Sequence, residues 1–193
     1  MTAYTTSPKI AAREENIKLY RTLSGLDRLP KDKQYWTLCS RCDQSPSSEL
    51  SQLVRSGLLV PSQFHGVDND AELIRLNRID HPSAHWYHGD WNTVIASVDF
   101  RPGFIYLDTK NESGRLALNM TASTMVRCPV GTVLLLNVCQ SSIYREVAES
   151  EQFLSDLGRR VPNLIDWARD GVPRFVYASN STLMLTYGFR RAK

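Results

Sequence analysis

Gln63-Phe64-His65-Gly66-Val67-Asp68-Asn69-Asp70 is a short apolar run that ends in acids, and it decides how the chain is read. Its pattern is that of a buried strand whose carboxyl end carries polar chemistry. The pattern recurs on either side. Tyr35-Trp36-Thr37-Leu38-Cys39 ends in Ser40-Arg41-Cys42-Asp43, Ala84 to His88 ends in Gly89-Asp90-Trp91, and Gly103 to Leu107 ends in Asp108-Thr109-Lys110. In a parallel α/β sheet, ligands bind outside the carboxyl ends of the strands, where the strand order reverses. Asp68, Asp90 and Asp108 at three successive ends point to a nucleotide-like ligand.

Helical patterns separate these runs. Ile10, Ile17, Tyr20, Leu23 and Leu26 predict a helix from Lys9 to about Leu26, stopped by Gly25 and Pro30. Ser47-Ser48-Glu49 caps a helix through Leu50 to Leu58, and Asp70 caps one from Ala71 to Ile79. Further helices are expected over Glu112–Val126 and Ile143–Leu157, with another turn or two at Asn163–Ala168. The fifth strand, Thr132–Val138, is apolar throughout and so buried on both faces. Arg174–Ala178 and Thr182–Tyr187 follow as a hairpin joined by Ser179-Asn180-Ser181. Alternating βα units predict a mostly parallel sheet with helices on both faces, and the hairpin adds an antiparallel end.

The chain has 193 residues, enough for one domain with a substantial core. Val133 to Leu136 is its longest strongly apolar run, far too short to cross a bilayer. The first eight residues lack the apolar core of a secretion signal, so a cytoplasmic location with four reduced cysteines is expected. A net charge of +3 does not by itself mark a nucleic-acid binder. Basic residues nevertheless gather near the first helix (Arg13, Lys18, Arg21, Arg28, Lys31, Lys33) and at the end (Arg190, Arg191, Lys193). They fit either solvated faces or phosphate contacts.

From about Tyr35 to Phe189 this layout resembles the class I S-adenosylmethionine-dependent methyltransferases, in particular small degenerate members from phages and mobile elements. The resemblance implies a Rossmann-like, mostly parallel seven-stranded sheet with a C-terminal antiparallel hairpin. Residues 1–30 would be a tail and helix packed on the core, and 31–193 the methyltransferase-like domain. It implies that Asp68 binds the ribose hydroxyls of the methyl donor, a task suited to two ionised oxygens. Asp90 would read the adenine amino group, with Trp91 stacking, and Asp108 would be the catalytic or acceptor-side acid. The Asp/Asn-Pro-Pro-Tyr/Phe signature of base amino methylation is absent. The glycine-rich turn expected after the first strand is replaced by Ser40-Arg41-Cys42-Asp43-Gln44-Ser45-Pro46, which has no glycine. Glycine serves there because backbone must pass close to the donor. Ser40 and Arg41 stand at that position, and Arg41 could hold a phosphate or carboxylate or be a solvated loop residue.

Cys39 and Cys42 form a Cys-x-x-Cys pair without the second close pair that a zinc site needs, so they read as buried thiols. His85 and His88, three apart on a strand, face opposite ways and cannot easily share an ion, so no metal is expected. The implied function is methyl transfer from S-adenosylmethionine, with nucleic acid, met by the basic terminal segments, as the favoured acceptor. The alternative is a catalytically silent methyltransferase fold serving as a binding or assembly module, with a protein partner or a second copy of itself. No membrane association is expected.

Overall fold

The computed structural model describes residues 7–109, 114–139, 147–161, 164, 167–169, 175–179 and 182–192. Helix α1 spans Ser7–Ser24 and ends at Gly25, whose φ of 70° suits glycine. Then come β1 (Gln34–Leu38), α2 (Glu49–Arg55), β2 (Phe64–Asp68), α3 (Ala71–Asp80) and β3 (His85–His88). The order continues with α4 (Trp91–Ser97), β4 (Pro102–Asp108), α5 (Gly114–Arg127), β5 (Val133–Cys139) and α6 (Val147–Arg160). Three strands close the chain: β6 (Trp167–Arg169), β7 (Phe175–Ser179) and β8 (Thr182–Arg191).

The strands form one sheet in the order β3-β2-β1-β4-β5-β8, with β1 to β5 parallel and β8 antiparallel to β5. These six strands are its continuous body. Among the described residues the sheet thus has six strands in this body, not the seven expected. The outer side of β8 is instead divided between β7, paired with residues 182–186, and β6, paired with residues 189–191.

Two expectations fail locally. Trp167 to Arg169 forms β6 rather than the end of a helix, because the outer side of β8 offers it ladder partners. Helix α4 was not anticipated: Asp90 is its N-cap, and Trp91, Val94 and Ile95 bury at helical spacing. Residues 143–146 of the helix expected over Ile143–Leu157 and Asn180-Ser181 of the hairpin turn lie outside the described residues.

Alternation along the strands builds two cores. One face carries Tyr35, Phe64, Trp86, Phe104, Val133 and Leu135, covered by α1, α2 and α3 through residues such as Tyr20, Leu50 and Ile74. The other carries Trp36, Val67, Ile105, Leu107, Leu134 and Leu136 beneath α4, α5 and α6. Gly66 sits opposite Trp86 of β3 on the first of these faces. A Cβ there would sit 2.8 Å from the Trp86 ring and 2.9 Å from the Cys39 Cβ. Gly66→Ala is therefore expected to cost about 1–3 kcal/mol by overpacking, read as a lowered unfolding midpoint. A variant as stable as the parent would show that the contact relaxes freely.

Candidate functional site

Strand order reverses between β1 and β4, which sets the crevice at their carboxyl ends. On the β2 side, Asp68 is half-buried. One of its oxygens accepts from Asp70 N at 2.8 Å, closing the turn into α3. Burial is the main cause pushing its carboxyl upward, and its charge is felt at the Cys39 thiol at the end of β1. On the β4 side, Asn137 of β5 donates to Asp108 Oδ1 at 3.2 Å, and Thr109 donates through N and Oγ1 to the Asn137 carbonyl. Asn137 also accepts from Thr186 of β8 at 3.1 Å, so the antiparallel strand orients the group that faces Asp108.

The loop after β1 replaces glycine flexibility with a clamp. Asn77, fully buried on α3, donates to the Ser40 carbonyl at 3.1 Å and accepts from Cys42 N at 2.9 Å and Arg41 Nη1 at 3.0 Å. Arg41 also pairs with Asp80, and His81 bonds the Asp43 carbonyl at 2.9 Å. From α1, Arg13 donates to the Ser47 carbonyl at 2.8 Å. The loop is thereby held to α3, which packs on β2 and β3, on the side of β1 away from β4.

Beneath this loop Glu49 is buried and accepts from Tyr35 Oη at 2.5 Å. Burial pushes its carboxyl up, opposed by the Arg13 charge and the hydroxyls of Tyr35 and Thr37. An acid with a raised native pKa binds its proton more readily folded than unfolded. Stability therefore grows as pH falls through the native value and stops growing below the unfolded one. Glu49→Gln should be more stable than the parent at neutral pH and lack that part of the pH dependence. Parallel stability–pH curves for the two proteins would exclude Glu49 as the titrating group.

The expected site residues are thus only partly gathered. Ser40, Asp68 and Asp108 stand at or just after the carboxyl ends of β1, β2 and β4. Arg41 is committed to Asp80 and Asn77. Asp90 caps α4 through bonds from Thr93 N and Oγ1. Trp91 is 2 % exposed and donates to Thr124 Oγ1 at 2.8 Å, so its ring packs in the core and presents no face for a base to stack on. Asn77, Glu49 and Asn137 were not anticipated. For Asn77 the one sequence signal is a polar residue three positions after Ile74 on the apolar stripe of α3.

Cys39, Cys42 and Cys128 are free buried thiols, and burial pushes all three upward, Cys42 to about 12. Protonated and enclosed, they are poor nucleophiles. Among the described residues, no group of three or more metal-ligating side chains forms, and no helix is long and apolar enough to cross a membrane. The two basic clusters also separate. Arg13 and Arg21 are spent on the Ser47 and Ser56 carbonyls, while Lys31 and Lys33 lie at the amino end of the sheet. Arg190 and Arg191 prove to be strand residues, with Arg190 opposite Val133 at the start of β5.

No family model matches the sequence, and no curated protein is similar to it. Solved structures are. Magnesium protoporphyrin IX methyltransferase from Synechocystis PCC 6803, with bound SAM, aligns over 100% of this chain and 86% of its own at 9% identity and a TM-score of 0.64. TrmN from Thermus thermophilus aligns over 91% of this chain and 48% of its own at 10% identity, TM-score 0.59. A TehB-like SAM-dependent methyltransferase from Corynebacterium glutamicum aligns over 94% and 98% at 14% identity, TM-score 0.53. The chain has the class I methyltransferase fold.

Proposed function

We propose that the protein binds S-adenosylmethionine at the carboxyl ends of β1, β2 and β4 and transfers its methyl group. The observation that carries this is Asp68, a half-buried carboxylate at the end of β2, beside the point where strand order reverses, with one oxygen held by the turn into α3. That arrangement fits the ribose diol of an adenosyl group. When bound, the donor supplies a methyl group activated on sulfur. Asp68 holds the ribose hydroxyls, the backbone from Ser40 to Asp43 borders the donor, and Asp108, oriented by Asn137, faces the acceptor. Such a site acts by positioning and by excluding water. The clamped, glycine-free loop is in keeping with a degenerate member of the fold, of the kind carried by phages and mobile elements and working in the cytoplasm.

The acceptor we favour is nucleic acid, contacted through basic segments. A second reading has its own support. Arg41 and the polar atoms around it are satisfied by α3, as expected of a module that keeps the fold without transferring methyl groups. Titrating S-adenosylmethionine and S-adenosylhomocysteine calorimetrically into the full chain separates the two. Micromolar binding supports the enzyme, and no heat at millimolar ligand supports the silent module.

A further inference from the structure

On the face covered by α4, three rings form a column across the strands at the amino half of the sheet. Trp36, His65 and His85 are direct cross-strand neighbours in β1, β2 and β3. Their centroids are 4.5 Å apart at each step, with interplanar angles of 27° and 18°. This spacing follows the distance between strands. Tyr87 lies alongside, stacked on both Trp36 and His65, and its hydroxyl meets His65 Nδ1 at 3.1 Å. Burial pushes His65 down to about 3, so the middle ring is neutral. The column stops at exposed His85 only because β3 is the edge strand.

Two cavities meet at this end. One, of about 360 Å³, runs along the β3 edge between Arg78, Pro82, His85 and Tyr87. The other, of about 340 Å³, opens at the amino ends of the strands and is lined by His65, His85 and Tyr87 together with Lys31, Lys33 and Arg101. Asp32 and Asp99 also line it, pairing with Lys33 at 3.5 Å and Arg101 at 2.8 Å. Lys31 makes no ion pair with any described residue, and cations outnumber acids in the lining by three to two.

We propose that this edge is a binding surface for single-stranded nucleic acid, with a base continuing the ring column on His85 and adjacent phosphates on Lys31, Lys33 and Arg101 to one side and Arg78 to the other. A ring platform flanked by cations is what a strand needs, since every base offers a π-face and every linkage a charge. Two cavities joined through His85 and Tyr87 favour a run of nucleotides over a single free one. A duplex keeps its bases stacked inward and cannot extend the column. The surface deepens the nucleic-acid part of the proposed function and is separate from donor binding. Arg101 precedes β4 and Asp108 ends it, so strand length puts the two about 20 Å apart. The surface anchors a strand; it does not present a base to the crevice.

The test is fluorescence anisotropy with the full chain and labelled oligouridylate or oligothymidylate, with UMP and the corresponding duplexes as competitors. Single strands should bind, weaken steeply with salt and resist both competitors. His85→Ala and Lys31→Glu, both exposed positions, should each lower affinity about tenfold, while Arg127→Glu, exposed on α5, changes it less than twofold. No binding at low salt overturns the proposal. Equal loss in all three variants, or in none, overturns the location while leaving a nucleic-acid partner elsewhere. UMP competing as well as the strand would make this a mononucleotide pocket instead.

Discussion

Asn77→Ala is expected to lower the unfolding free energy by about 3 kcal/mol, more than a typical single substitution. The side chain is fully buried and satisfies the Ser40 carbonyl, the Cys42 amide and the Arg41 guanidinium together. Alanine takes this partner from the buried Cys42 amide and from the part-buried Ser40 carbonyl, and an unsatisfied buried group costs about 1–3 kcal/mol. Arg41→Ala should cost far less, because its pair with Asp80 is partly exposed. Urea unfolding with an unchanged slope would report the difference. A loss of only a few tenths of a kcal/mol for Asn77→Ala would mean that the loop holds its shape without the clamp.

Asp68→Ala is expected to abolish the thermal stabilisation that S-adenosylmethionine confers, a fall in affinity of about a hundredfold. Two hydrogen bonds to an ionised oxygen, each worth about 1.5–3 kcal/mol, account for that size. The variant also loses the acceptor for Asp70 N, so Asp68→Asn is the sharper probe. It retains an oxygen for the turn and removes the charge, and should keep the melting point of the free protein while losing most of the response to donor. Asp90→Ala removes the N-cap of α4 and should cost about 1 kcal/mol of stability whatever its effect on donor. Full donor stabilisation in both Asp68 variants would exclude Asp68 as the ribose ligand.

The parallel strands were legible because each is a short apolar run, and periodicity is a local signal. Trp91, whose ring is buried in the core, shows where that signal misled. An acid followed by an aromatic at a strand end matched a ligand-binding pattern, yet the same residues with Val94 and Ile95 encode a capped amphipathic turn. Strand β6 has three residues, too few for any period, and exists through its pairing with residues twenty or more positions away. The clamp on the first loop was invisible for the same reason. Arg41 and Asn77 are 36 residues apart, and nothing local tells a solvated arginine from one held by a distant helix.

The divided border of β8 bears on what the protein avoids. Ten residues of extended backbone with an open side are a template on which another chain can add a strand, the usual start of edge-to-edge aggregation. Here that side is taken by strands of three and five residues. The opposite border, β3, has four residues, and Arg78 already occupies its Trp86 carbonyl at 2.7 Å. Among the described residues, neither border of the sheet offers a long open run on which another chain could add a strand.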